Sequence, residues 1–110
     1  MKRRLLLLIT LLIGCASTSE WSFQDPPSTI VVTQQSVIDK KRPILFVLHD
    51  QEGDWQFLSN EMLGIDLAVE SSLRDLVAFD SSIIQLGQLK RGWKATRTDY
   101  KSPWNISLYK

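Results

Sequence analysis

"PILFVLHDQEGDWQFLS", Pro43 to Ser59, decides the fold. Ile44 to Leu48 is apolar without interruption and lies between Pro43 and charged residues. A short continuous apolar run of this kind predicts a central strand covered on both faces. "DQEGD", Asp50 to Asp54, is turn chemistry, with Gly53 placed where a positive φ is needed. Trp55 to Leu58 then reads as the returning strand. The stretch predicts a β-hairpin with a five-residue loop.

Upstream, "TIVVT", Thr29 to Thr33, is β-branched and predicts another strand. Downstream, "VESSLRDLVAFDSSIIQLGQLKRG" changes period. Ser72 with Asp75 matches a capping box, and Leu73, Leu76 and Val77 share one helical face. Asp80 reads as a second N-cap ahead of Ile83, Ile84 and Leu86. Lys90 and Arg91 suit a helix C-terminus, with Gly92 leaving in a left-handed conformation. The segment therefore predicts two short helices or one broken helix. "GWKATRT" alternates Trp93, Ala95 and Arg97 with Lys94, Thr96 and Thr98, so it reads as a further strand. The tail carries Pro103 and a candidate short strand at Ile106 to Tyr109. The expected fold class is α+β: a small antiparallel sheet of three to five strands, with one or two short helices on one face.

The first residues belong to a different grammar. Lys2, Arg3 and Arg4 precede an apolar run from Leu5 to Ile13, broken only by Thr10, and then Gly14 and Cys15. Charge, apolar run and small residue in that order read as an export signal. As a helix the run reaches roughly 14 Å at about 1.5 Å per residue. That is too short for a hydrocarbon core of about 30 Å. "ASTSEWSFQDPPS", Ala16 to Ser28, lacks periodicity and ends in Pro26-Pro27, so it reads as a linker reaching at most about 40 Å. Trp21 and Phe23 are unusual there. They either dock on the domain, the slightly favoured reading, or rest at a lipid interface. The chain divides into a signal peptide (1–14), an N-terminus and linker (15–28) and a single α+β domain (29–110).

Leu12-Ile13-Gly14-Cys15 resembles the lipobox of bacterial lipoproteins, in which apolar and small residues precede an obligatory cysteine. The resemblance implies a diacylglyceryl group on Cys15, removal of the preceding peptide and acylation of the new amino group. The alternative is a cleaved secretory peptide, or a short buried helix with a free core cysteine. Two or more acyl chains hold stably at about 0.8 kcal/mol per buried methylene. Ala16 after the cysteine, where an aspartate would signal retention, resembles lipoproteins sorted to the outer membrane of Gram-negative cells. The expected setting is thus the bacterial envelope, with the domain tethered to the membrane.

Removing the signal takes three of 13 basic residues, leaving ten against 12 acidic ones, a net of −2. A weakly acidic domain is a poor nucleic-acid binder. It is equally poorly suited to electrostatic attachment to anionic lipid. Cys15 is the chain's one cysteine, so no internal disulfide forms and the small core must hold by packing.

Candidate chemistry is sparse. His49 is the one histidine, and Asp50 beside it points to the opposite face of a strand, so a structural, hydrogen-bonded role is expected over general-base catalysis. Asp50, Glu52, Asp54 and Glu61 have the spacing of a calcium loop, but Trp55 stands where its glycine belongs, so a solvated turn is expected. Zinc is not expected, and no cofactor or metal is implied. Charge is segregated. Asp50 to Asp80 holds eight acids with Arg74 as its one base, and Lys90 to Lys110 holds six bases with Asp99 as its one acid. The favoured reading is that the two segments neutralise each other; the other is a two-faced surface that steers a charged partner. Trp55, Trp93, Arg97 and Trp104 are the candidates for an interaction surface, against the commoner reading of the tryptophans as core. Asn105-Ile106-Ser107 matches a glycosylation acceptor, which a bacterial lipobox makes irrelevant.

The order of features also resembles an uncharacterised bacterial family, a domain of unknown function described as immunity-protein-like. Asp54, Trp55, Phe57, Leu73, Asp80, Leu89, Gly92, Ala95 and Arg97 carry the likeness, over most of residues 37 to 104. It implies a small α+β domain without known catalysis, and no catalytic residue carries over. The expected function is a membrane-anchored binding domain for an envelope protein or glycan. The alternatives are an immunity-like inhibitor of an envelope-acting toxin or hydrolase and, third, a small envelope enzyme.

Overall fold

A computed structural model describes residues 21–60 and 68–110. Cys15, the signal and Glu61 lie outside the described residues. No helix among the described residues is long and apolar enough to cross a membrane.

The elements in chain order are β1 (Ile30–Gln34), α1 (Gln35–Ile38), β2 (Phe46–His49), β3 (Trp55–Leu58), β4 (Ala68–Ser72), α2 (Leu73–Phe79), a 3-10 helix (Ser81–Leu86), β5 (Trp93–Thr96) and β6 (Asn105–Leu108). All six strands form one sheet in the order β4-β1-β3-β2-β5-β6. The α+β class holds, but the sheet has six strands rather than three to five. It is also mixed rather than wholly antiparallel, because β1 runs parallel to β3. The hairpin β2–β3 inserts β3 between β1 and β2, a long-range choice that no local pattern encodes. The extra strand is β4, whose "AVESS" is half-exposed on both faces and shows no apolar alternation.

The hairpin forms as its residues dictate. Phe46 pairs with Leu58 and His49 with Trp55, which leaves Asp50 to Asp54 as the loop. Asp50 Oδ1 accepts from the N–H groups of Glu52 and Asp54, and Gly53 has φ +94°. Asp50 is thus spent on the turn itself. Phe46, Val47 and Leu48 are all buried, as a central strand requires.

Strand alternation sends these side chains to two faces. Val31, Val47, Trp55, Phe57 and Ala95 join Leu73, Leu76, Ile83 and Leu86 in the main core, so the helical segments cover one face. Phe46, Leu48 and Leu58 form a second cluster on the other face. The helix is broken at Asp80 as expected. Ser72 Oγ caps α2 by accepting from Asp75 N at 3.1 Å, and Asp80 Oδ1 caps the 3-10 helix by accepting from Ser82 N at 3.0 Å. Helical structure ends at Leu86, however, with Gly87 as the C-cap. Lys90 and Arg91 therefore sit in the turn before β5. Gly92 has the expected positive φ, +84°, but uses it to enter a strand.

Candidate binding cleft

The cleft of interest lies at the Trp55 end of the sheet, has a volume of about 330 Å³, and is lined by three separate parts of the chain. Gln24 and Asp25 come from the N-terminal segment, His49 and Trp55 from the hairpin, and Gly87 to Arg91 from the turn after the 3-10 helix.

The N-terminal wall is held by packing. Phe23 is buried in the main core and meets the Trp55 ring edge-on at 5.2 Å, and Trp21 packs on Phe23 at 5.6 Å. Of the two readings of these aromatics, docking on the domain is what the structure shows. Ser22 Oγ donates to Ile84 O, and Gln88 Nε2 donates to Ser22 O. The approach of the two segments is closest at Gly87, where an added Cβ would lie 2.5 Å from the Ser22 carbonyl carbon. A glycine is needed there for the N-terminal segment to close the cleft.

His49 ends β2 and stacks on Trp55 with ring centroids 3.9 Å apart and planes within 9°. Its Nδ1 lies 2.7 Å from Leu89 O. A carbonyl oxygen only accepts, so Nδ1 carries the hydrogen. In the neutral ring Nε2 then holds the free lone pair, and it has no partner among the described residues. The Trp55 indole N–H donates to Asp25 Oδ2 at 3.1 Å, which fixes that carboxylate on the rim. Lys90 and Arg91, in the turn that also carries Leu89, are exposed, and the Arg91 guanidinium packs against Gly53 of the hairpin loop. The cleft thus gathers acceptors from Asp25 and His49 with donors from Gln88, Lys90 and Arg91. His49 is hydrogen-bonded, as expected of it. No group of three or more metal-ligating side chains occurs among the described residues.

Of the four residues proposed from sequence as an interaction surface, two are buried and two are half-buried. Trp55 is 3 % exposed and belongs to the core. Arg97 is 6 % exposed and spends its guanidinium internally. Nε donates to Ile44 O, Nη1 to Ser82 Oγ and Tyr100 O, and Nη2 to Asp80 Oδ2 at 2.9 Å. Half-buried Trp104 lies over this guanidinium at 4.1 Å, its own N–H shielded and without a hydrogen-bond partner among the described residues. Half-buried Trp93 packs against the main core beside β6. The physical reason is size: a domain this small needs its large rings inside. The Arg97–Asp80 pair joins the basic and acidic segments at one point.

Sequence reasoning missed Asp25, Gln88 and the Leu89 carbonyl as cleft elements. Trp21 and Phe23 were the available signal, since two large aromatics rarely remain in a free linker. No model of a known protein family matches the chain, and searches of curated proteins and of solved structures found no match.

Proposed function

We propose that this protein is a bacterial lipoprotein, tethered through acylated Cys15 to the envelope, whose domain binds a polar envelope ligand of glycan type at the His49 cleft. The lipobox-like order Leu12-Ile13-Gly14-Cys15 supports the anchor, and Ala16 supports outer-membrane sorting in a Gram-negative cell. The binding reading rests on one observation: acceptors and donors converge on a concave site whose histidine already has its tautomer fixed. Sugar hydroxyls both donate and accept, and a cleft lined by Asp25, His49, Gln88, Lys90 and Arg91 answers both needs. The lining offers no hydroxyl or thiol nucleophile beside His49, which favours binding over transformation.

Two experiments test the halves separately. Replacing Cys15 with Ser is expected to move the protein from the membrane to the soluble fraction; unchanged fractionation refutes the anchor. Retention on arrayed envelope glycans is expected for the intact protein and should fall by about tenfold in a Gln88→Ala, Lys90→Ala variant with an unchanged tryptophan spectrum, as loss of one or two good hydrogen bonds implies. An intact protein that binds no glycan on the array refutes the cleft assignment.

A further inference from the structure

Strand β6 is the sheet's edge beyond β5, and all four of its residues are exposed, with Ile106 at 54 % and Leu108 at 50 %. Its hydrogen-bond phase follows from one contact. Tyr109 N–H donates to Gly92 O at 2.9 Å, in the same register that pairs Ser107 with Lys94 and Asn105 with Thr96. Antiparallel pairing alternates, so Asn105, Ser107 and Tyr109 turn their backbone groups inward to β5. The N–H and C=O groups of Ile106 and Leu108 therefore point away from the sheet. These same two residues place their side chains on the face of Trp93 and Ala95, their cross-strand neighbours. There Ile106 borders a largely apolar groove of about 210 Å³ whose lining includes Leu86, Leu89 and Trp93.

We infer that β6 pairs antiparallel with β6 of a second copy of this chain, about a two-fold axis at Ser107. This register sets Ile106 opposite Leu108 of the second copy and the reverse, so both free backbone positions and both apolar side chains are matched at once. A shift of two residues in either direction leaves half of them unmatched. The edge is thus self-complementary, as a two-fold interface requires. Two short strands bury less than the roughly 1,200 Å² of a stable complex, so the dimer is weak in solution. The membrane tether proposed above, on which only this strengthening rests, raises the effective concentration.

The pairing sets a distance test. Ser107 faces Ser107 of the second copy as a non-hydrogen-bonded pair, with Cα atoms about 4.5 Å apart, within disulfide reach. Asn105 is displaced four residues from its counterpart, about 13 Å along the strand. Ser107→Cys and Asn105→Cys full-length chains, oxidised in isolated membranes or in whichever fraction holds the protein, share Cys15, so their difference reports the edge alone. The expected result is a disulfide-linked dimer for Ser107→Cys, at least about tenfold above Asn105→Cys. Adding Ile106→Pro should abolish it without unfolding, because the lost N–H points outward. Equal cross-linking by the two variants, none by either, or linkage of the Ser107→Cys chain to a protein of different mass overturns the pairing. Because the fraction is chosen by where the protein is found, failure of the anchor leaves this test intact.

Discussion

The two edges of the sheet are built differently. At one, β4 carries Glu70, Ser71 and Ser72 and runs directly into α2. Leu73, the first residue of α2, is fully buried, and its N–H donates to Thr29 O at 2.8 Å, while Arg74 N–H donates to Pro27 O. Charge and serine blunt this edge, and the helix ties it to the core. At the other, β6 presents Ile106 and Leu108 outward, and its attachment is the backbone ladder to β5. A strand followed by a helix that dives into the core needs little stickiness of its own.

The largest expected effect comes from the link between the two halves. Arg97 leaves β5 next to the exposed edge and reaches Asp80, directly after the helix that secures the other edge. The Arg97 side chain is 2 % exposed and that of Asp80 19 %, and removing one partner of a buried pair costs about 3–5 kcal/mol. Arg97→Ala should lower stability by about that much in chemical denaturation. A change under about 1 kcal/mol, the range of an exposed pair, would show that the link carries little and that the two halves hold independently.

Truncation at each edge sharpens the contrast. Leu73→Ala opens a cavity at the foot of β4 and is expected to cost about 2–5 kcal/mol. Ile106→Ala on β6 removes a half-exposed side chain and should cost under about 0.5–1 kcal/mol. Equal losses in thermal or chemical denaturation would mean that β6 contributes to the fold as β4 does.

The same contrast explains how much was legible in the residues. The hairpin, the Ser72 and Asp80 caps and the break between the helical segments all rest on contacts within a few positions, and each is written locally. The parallel pairing of β1 with β3 is not. It is secured by Thr33 Oγ1 donating to Phe57 O and by buried Gln34 accepting from Ser59, partners 24 and 25 positions away. Strand β4 gave little warning, since an edge strand buries too little to show alternation. In the cleft, His49 was visible as the lone histidine, but Asp25 and the Leu89 carbonyl reach it only through tertiary packing. Arg97 illustrates the opposite error. Its alternation with Trp93 and Ala95 placed it on the correct strand face, yet the same face is the core side, so its charge is consumed by Asp80 and the Ile44 carbonyl.

The smallest expected effect concerns the turn that delivers the chain to β6. The Asp99 carboxylate accepts from Lys101 N–H at 2.8 Å and from Ser102 Oγ at 3.0 Å. The Lys101 backbone bond first, then the Ser102 hydroxyl, hold its pKa below the ordinary 3.8. A carboxyl lowered on folding contributes stability fully above its ordinary pKa, and that contribution is lost as pH falls through the folded value. Because Asp99 is fully exposed, protonation should loosen this turn and the strand it delivers, leaving β4 and the core untouched. Amide exchange followed from neutral pH down through the carboxylate range should show protection of Lys101 and Ser102 falling first, after correction for the intrinsic pH dependence. The inward-facing amides of Asn105 and Ser107 should loosen next, and the β1–β4 ladder should stay unchanged. Simultaneous loss at both edges would mean that β6 is not the weaker attachment, and Asp99→Asn should abolish the early phase at Lys101 and Ser102 if the carboxylate is its cause.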